Sequence, residues 1–147
     1  MSRSRVILAD SHPNMLEAVR GLLEGKFLVT VMVADEPSLL EAVARLQPDL
    51  VVVDLSLPVL GDVNIVRALL SRHPSVRVIV LSIHDEPAAL SQALGAGAAG
   101  FVLKRTAVVE LTAAVDAVLR GGSYISPALG WWRNAVDQQR RLNWSPS

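Results

Sequence analysis

Asp49-Leu50-Val51-Val52-Val53-Asp54-Leu55-Ser56-Leu57-Pro58 is the stretch that decides the fold. Its three consecutive valines predict a strand buried on both faces rather than one with a wet side. Pro58 says that the strand has already ended. Asp54 closes the run at the exit of a buried parallel strand, where open α/β sheets keep their ligand sites. A lone carboxylate in that place is set to take part in chemistry.

Working outward, four more short apolar runs recur: Arg5 to Ala9, Leu28 to Ala34, Val76 to Ser82 and Gly100 to Leu103. Segments with helical spacing alternate with them. Leu16, Val19 and Leu23 share one face, as do Leu39, Leu40, Val43 and Leu46. Ile65, Val66, Leu69 and Leu70 share another, followed by Val108, Leu111, Val115 and Val118. Glu86 to Leu94 is alanine-rich and carries a weaker signal. Helix starts are expected at Asp85, at Thr106, and at Ser38 with Glu41 as a capping box. Strict alternation of strand and helix implies a parallel sheet covered on both faces. Such units in a chain of this length fit an α/β fold with a five-stranded, doubly wound, flavodoxin-like sheet of order 2-1-3-4-5.

Composition narrows the classes. The chain has 147 residues, 51% apolar and 19% charged, enough for one domain with a sizeable core. Lys plus Arg and Asp plus Glu are both 14, so no global field draws it to nucleic acid or a membrane surface. It has no cysteine, which excludes disulfides and thiolate metal sites. The basic start Met1-Ser2-Arg3-Ser4-Arg5 leads into an apolar stretch too short for a signal peptide, and no run approaches a membrane span. A soluble, cytoplasmic protein is expected. Beyond Gly121-Gly122 the character changes: Trp131, Trp132 and Trp144 all lie there. Leu129, Trp132 and Val136 fall on one helical face, which predicts a short amphipathic helix outside the repeat. We therefore divide the chain into a domain over 1–121 and a linker over 122–147.

Loops after strands one, three, four and five share one sheet edge. They offer Asp10 and Ser11, Asp54, Ser82, and Lys104 respectively. Two carboxylates without a paired His or Cys suit a hard cation such as Mg²⁺. A carboxylate can also serve as a nucleophile that becomes an acyl phosphate, with the lysine and hydroxyl holding phosphoryl oxygens. His12 and His84 flank this crevice and are read as loop residues; His73, before Pro74, is read as a turn residue.

Four segments carry a family resemblance: Ile7-Leu8-Ala9-Asp10-Ser11-His12-Pro13, Val53 to Pro58, Val78 to Ser82, and Gly97-Ala98-Ala99-Gly100-Phe101-Val102-Leu103-Lys104. In that order and spacing the chain resembles the receiver domain of two-component response regulators, most closely the NarL/FixJ subfamily with its LuxR-type output. The resemblance implies that Asp54 accepts phosphate from a sensor histidine kinase. It implies a Mg²⁺ site on Asp10, Asp54 and the Ser56 backbone carbonyl, with Lys104 pairing with the phosphoryl group. Ser82 and Phe101 would form the switch. It further implies a homodimer, and DNA binding only through an output domain not contained in this sequence. Trp144-Ser145-Pro146 resembles the opening of that output domain, so the sequence reads as a receiver plus linker from a longer transcription regulator.

Three departures qualify the resemblance. Ser11 stands where the family has a second acid, which is expected to weaken Mg²⁺ on the order of 10–100-fold. Gly61-Asp62 replaces the usual acid-or-Asn then Gly pair. Arg105 follows Lys104 where a cis proline is frequent, and a trans bond is expected. Ser11 also motivates the alternative of a phosphorylation-independent pseudo-receiver that acts in dimerisation or protein docking. A small aspartyl-phosphate phosphatase is disfavoured, because no second general acid/base stands near Asp54. Beyond its own phosphotransfer and dephosphorylation, the chain is not read as an enzyme.

Overall fold

A computed structural model of the chain describes residues 4–57 and 64–129. Strand β1 (Arg5–Ala9) is followed by α1 (Pro13–Leu23), β2 (Leu28–Val33), α2 (Glu36–Leu46) and β3 (Leu50–Asp54). Then come α3 (Ile65–Arg72), β4 (Arg77–Ser82), α4 (Pro87–Gly95), β5 (Gly100–Leu103), a 3-10 turn (Lys104–Thr106), α5 (Ala107–Leu119) and β6 (Tyr124–Ile125). All strands are parallel, in the order β2-β1-β3-β4-β5-β6.

Alternation along the strands divides the core into two layers. Ile7, Ala9, Val51, Val53, Val78, Val80, Phe101 and Leu103 face α2, α3 and α4. Val6, Leu8, Leu50, Val52, Ile79, Leu81 and Val102 face α1 and α5. Every residue of β3 is buried, Asp54 included. Each buried aliphatic side chain of β3 is worth about 1.5–3 kcal/mol. Together they outweigh the several kcal/mol that burial of one carboxylate costs, at the order-of-magnitude level. The strand can therefore carry Asp54 into a nearly dry site.

The sheet has six strands, not the expected five. Tyr124–Ile125 is only two residues long, too short for a periodicity signal. It forms because the edge of β5 offers unpaired main-chain groups. Tyr124 N–H donates to the Ala99 carbonyl at 3.1 Å and Ser126 N–H to the Phe101 carbonyl at 3.0 Å. Leu103 N–H in turn donates to Ser126 Oγ at 3.0 Å. Leu129 is 1% exposed and joins the layer of Phe101 and Leu90. Tyr124–Ile125, within the stretch read from sequence as linker, thus extends the sheet, and Pro127–Leu129 follows as a 3-10 turn. Leu129→Ala is expected to cost about 2 kcal/mol, the low end for a buried leucine because the site lies at an edge that can relax. Urea unfolding checks this; a change under 0.5 kcal/mol, the scale of a surface substitution, would mean that Leu129 contributes no core packing.

Two helix starts differ from expectation, and the one at Thr106 agrees with it. Asp35, not Ser38, caps α2, its side chain accepting from Ser38 N–H. The residue before α4 is Glu86, with Pro87 in the first turn, rather than Asp85. In α5 the buried stripe is Ala107, Leu111, Ala114, Val115 and Val118, while Val108 is 68% exposed. The glycines before and at the start of β5 have steric reasons. Gly97 has φ +109°, and a Cβ there would lie 2.8 Å from Leu70. A Cβ on Gly100 would lie 2.9 Å from Ile79 on the neighbouring strand. No peptide bond among the described residues is cis, in keeping with the expectation for Lys104-Arg105. Trp131, Trp132, Trp144, the helix expected around them, Pro58 and the Gly61-Asp62 pair lie outside the described residues.

Candidate functional site

Strands β1, β3 and β5 end at one edge of the sheet, with β4 between the last two, and the residues at or just after their ends bring three charged groups to one crevice. Asp10 directly follows β1 and is 2% exposed; Asp54 ends β3 and is 1% exposed. Lys104 directly follows β5 with its side chain 11% exposed. Each carboxylate is pinned by the N–H two residues ahead, the geometry of an Asx turn. His12 N–H donates to Asp10 Oδ1 at 2.8 Å. Ser56 N–H donates to Asp54 Oδ1 at 3.0 Å, and its hydroxyl adds a bond at 2.9 Å. The Oδ2 atoms of both acids are left facing one ammonium: Lys104 Nζ lies 2.8 Å from Asp10 and 3.0 Å from Asp54. The contact to Asp10 is close but poorly directed, so its buried Oδ2 accepts no well-formed hydrogen bond.

These contacts set the charges. Burial pushes the Asp54 carboxyl up, but the Ser56 N–H, Lys104 and the Ser56 hydroxyl outweigh it and hold the group below the usual carboxylate range. Burial pushes the Lys104 ammonium down, and the two carboxylates more than reverse that. The linkage signs follow. Asp54 contributes stability that is full above its unfolded value of about 3.9 and is lost as pH falls through its lowered folded value. Lys104 contributes stability that is full below about 10.4 and is lost as pH rises through its raised folded value. The acid limb of a stability-versus-pH curve is expected to be shallower in Asp54→Asn than in the parent chain. Urea titrations from pH 6 to pH 2 test this, and superimposable limbs would contradict it.

The structure brings Asp10, Asp54 and Lys104 together as the sequence suggests, and adds His12. Read from sequence as a loop residue, His12 has Nδ1 at 2.9 Å from Asp10 Oδ1, 3.7 Å from Asp54 Oδ2 and 3.4 Å from Lys104 Nζ. Its own N–H on Asp10, with Pro13 opening α1, turns the side chain back over the crevice. The readable signal was the Asp-x-His-Pro spacing after a buried strand. Ser11 is exposed. Ser82 is buried, but its hydroxyl is engaged within its own loop, donating to the His84 carbonyl at 3.1 Å and accepting the His84 N–H at 2.9 Å. Phe101 is fully buried in the layer beneath α4.

A sequence profile described as the response regulator receiver domain matches residues 6–116. The chain belongs to the response regulator receiver family. It is 33% identical over 143 residues to the transcriptional regulatory protein DegU of Brevibacillus brevis, covering 96% of this chain and 60% of that protein. To the probable transcriptional regulatory protein NarL of Mycobacterium tuberculosis H37Rv it is 35% identical over 127 residues, covering 85% and 59%. The chain thus spans about three-fifths of the length of these curated relatives. Among solved structures, a LuxR-family response regulator from Aurantimonas sp. SI85-9A1 superposes with a TM-score of 0.83 at 30% identity, covering 95% of this chain and 99% of that one. The isolated receiver domain of RcsB from Salmonella enterica serovar Typhimurium, in the presence of phosphomimetic BeF3⁻, gives 0.82 at 29% identity, covering 89% and 99%. Receiver domains of two-component transcription regulators are therefore its kin. No helix among the described residues is long and apolar enough to cross a membrane.

Proposed function

We propose that this chain is the phosphoacceptor switch of a two-component transcription regulator, with Asp54 receiving the phosphoryl group from a sensor histidine kinase. The observation that carries the reading is the convergence of Asp54, Asp10 and Lys104 at three strand ends, with Asp54 held ionised. An ionised Asp54 oxygen attacks phosphorus, an acyl phosphate bond forms, and the donor's bond to phosphorus breaks with its electron pair leaving on the donor. Lys104 already faces Asp54 Oδ2 and would follow the charge onto the phosphoryl oxygens. The carboxylates of Asp10 and Asp54 and the Ser56 carbonyl would hold a divalent cation, which neutralises phosphoryl charge when bound. The oxygen donors fit Mg²⁺ in part only: Ser11 supplies no carboxylate, and the further donor in the crevice is the His12 nitrogen.

Ser82 and Phe101 are the proposed switch pair. To reach the phosphoryl group, the Ser82 hydroxyl must leave His84, which costs two hydrogen bonds of about 0.5–1.5 kcal/mol each. A modified Asp54 has to supply at least that much for the population to shift. Ser126, directly after β6, hydrogen-bonds to Phe101 and Leu103, so it stands where such a shift would reach the chain beyond Leu129. We take that continuation to lead through a linker to a helix-turn-helix output domain that binds DNA, with a homodimer as the acting unit. Incubation with acetyl phosphate and a divalent cation tests the reading: intact mass should rise by one phosphoryl group.

A second reading is favoured by one contact. Lys104 bridges both carboxylates, so the pocket carries an internal cation of its own. On that reading the domain docks or dimerises without modification, and Asp54→Ala leaves oligomeric state and target binding unchanged.

A further inference from the structure

We propose that the crevice selects a borderline transition cation of the Zn²⁺ or Co²⁺ class over Mg²⁺, held by Asp10, His12 and Asp54. The inference deepens the phosphoacceptor reading and rests on it for the role of the cation, although the binding itself does not require phosphoryl transfer. Three donor atoms, one from each residue, lie within 4.8 Å of one another. A tetrahedral cation with bonds of about 2.0–2.2 Å places neighbouring donors about 3.3–3.6 Å apart. The separations from His12 Nδ1 to Asp10 Oδ1 and Asp54 Oδ2, 2.9 and 3.7 Å, bracket that requirement without an ion in place. Both carboxylates are rigid, because each is fixed by a main-chain N–H. Asp10 Oδ2 is buried beside the cluster and accepts no well-formed hydrogen bond, its close neighbour being the Lys104 ammonium at 2.8 Å, which a bound cation would replace.

The donor set then decides which cation enters. Mg²⁺ demands oxygen ligands in near-ideal octahedral geometry and releases water reluctantly. At this crevice it meets two carboxylates and an imidazole, because Ser11 is exposed and is not an acid. Imidazole nitrogen suits Zn²⁺, Co²⁺, Ni²⁺ and Cu²⁺. Any dication must also displace the Lys104 ammonium from between the acids, or share the acids with it. That competition penalises every dication, and the nitrogen donor compensates only those that bind nitrogen well. Coordination through Nδ1 uses the neutral ring with its proton on Nε2, so Asp10 Oδ1 gives up the ring contact and keeps the His12 N–H.

The test is a titration of the whole chain with Co²⁺, read by its visible absorption, followed by competition with Zn²⁺ and Mg²⁺. Zn²⁺ is expected to displace Co²⁺ at a concentration at least tenfold lower than Mg²⁺. His12→Ala should reduce that preference at least tenfold. His12→Asp, which restores an oxygen, should move it toward Mg²⁺, with circular dichroism confirming that each variant is folded. Equal displacement by Mg²⁺ and Zn²⁺, or a Zn²⁺ preference that survives both substitutions, would overturn the proposal. So would Co²⁺ absorption that persists in His12→Ala and disappears in His84→Ala or His73→Ala, since the metal would then sit elsewhere. Phosphoryl labelling read in parallel separates the two ideas. A chain that binds Co²⁺ through His12 yet takes no label under any cation defeats the phosphoacceptor reading alone.

Discussion

Asp54→Asn is expected to abolish phosphoryl incorporation from acetyl phosphate, taking the labelled fraction from a measurable value to none detectable by intact mass. The substitution changes almost nothing sterically. An Asn oxygen can still accept the bonds that Ser56 N–H and Oγ make to Asp54 Oδ1. What disappears is the nucleophile: a carboxamide cannot form an acyl phosphate, and the charge that draws Lys104 inward is lost with it. Because loss of activity could also follow from unfolding, near-parental thermal stability is part of the expected result. A variant that folds and still gains one phosphoryl group would place the acceptor on another residue. Asp10 would then be the first to examine, since it shares the ammonium.

The sequence told most where backbone chemistry is monotonous and least where a single side chain bends back. Leu50 to Val53 read as a doubly buried strand, and Asp54 after them was expected at the ligand edge of the sheet. The same logic placed Asp10 and Lys104, so three members of the crevice were legible before any coordinate. His12 was not. Its position depends on an Asx turn closed by Asp10, a local bond that competes with helix and strand and leaves no periodic trace. The sixth strand escaped for a related reason: two residues have no period, and Tyr124–Ile125 exists because β5 left an edge to pair. The start of α2 shows competition between neighbours. Ser38 with Glu41 matched a capping pattern, yet Asp35 lay closer to the free N–H groups and took the role. Long-range order was therefore readable from pattern, and the deciding details were set by which acceptor reached a given N–H first.

Lys104→Met should destabilise the chain by about 3 kcal/mol at pH 7, the low end of the range for stripping one partner from a buried ion pair. Methionine keeps much of the lysine stem, so lost packing contributes little. What remains is a pair of carboxylates, each under 4% exposed at the side chain, with no ammonium between them. The low end is appropriate because Lys104 is itself partly exposed, and because Ser56 and the His12 N–H still hold one oxygen of each acid. Two routes can relieve the repulsion, and each gives a signature. A proton taken up by either carboxyl removes one of the two charges and with it the repulsion, so the deficit relative to the parent should shrink between pH 7 and pH 5. A dication can replace the ammonium, so metal should stabilise the variant more than the parent, in which lysine competes for the same oxygens. Urea unfolding at both pH values, with and without metal, measures all of this. The Asp54→Asn background isolates the coupling, because the penalty for losing Lys104 should fall once only Asp10 remains charged. A deficit that is the same at both pH values and in both backgrounds would mean that the lysine acts through packing alone. The crevice would then lose its claim to be an electrostatic unit.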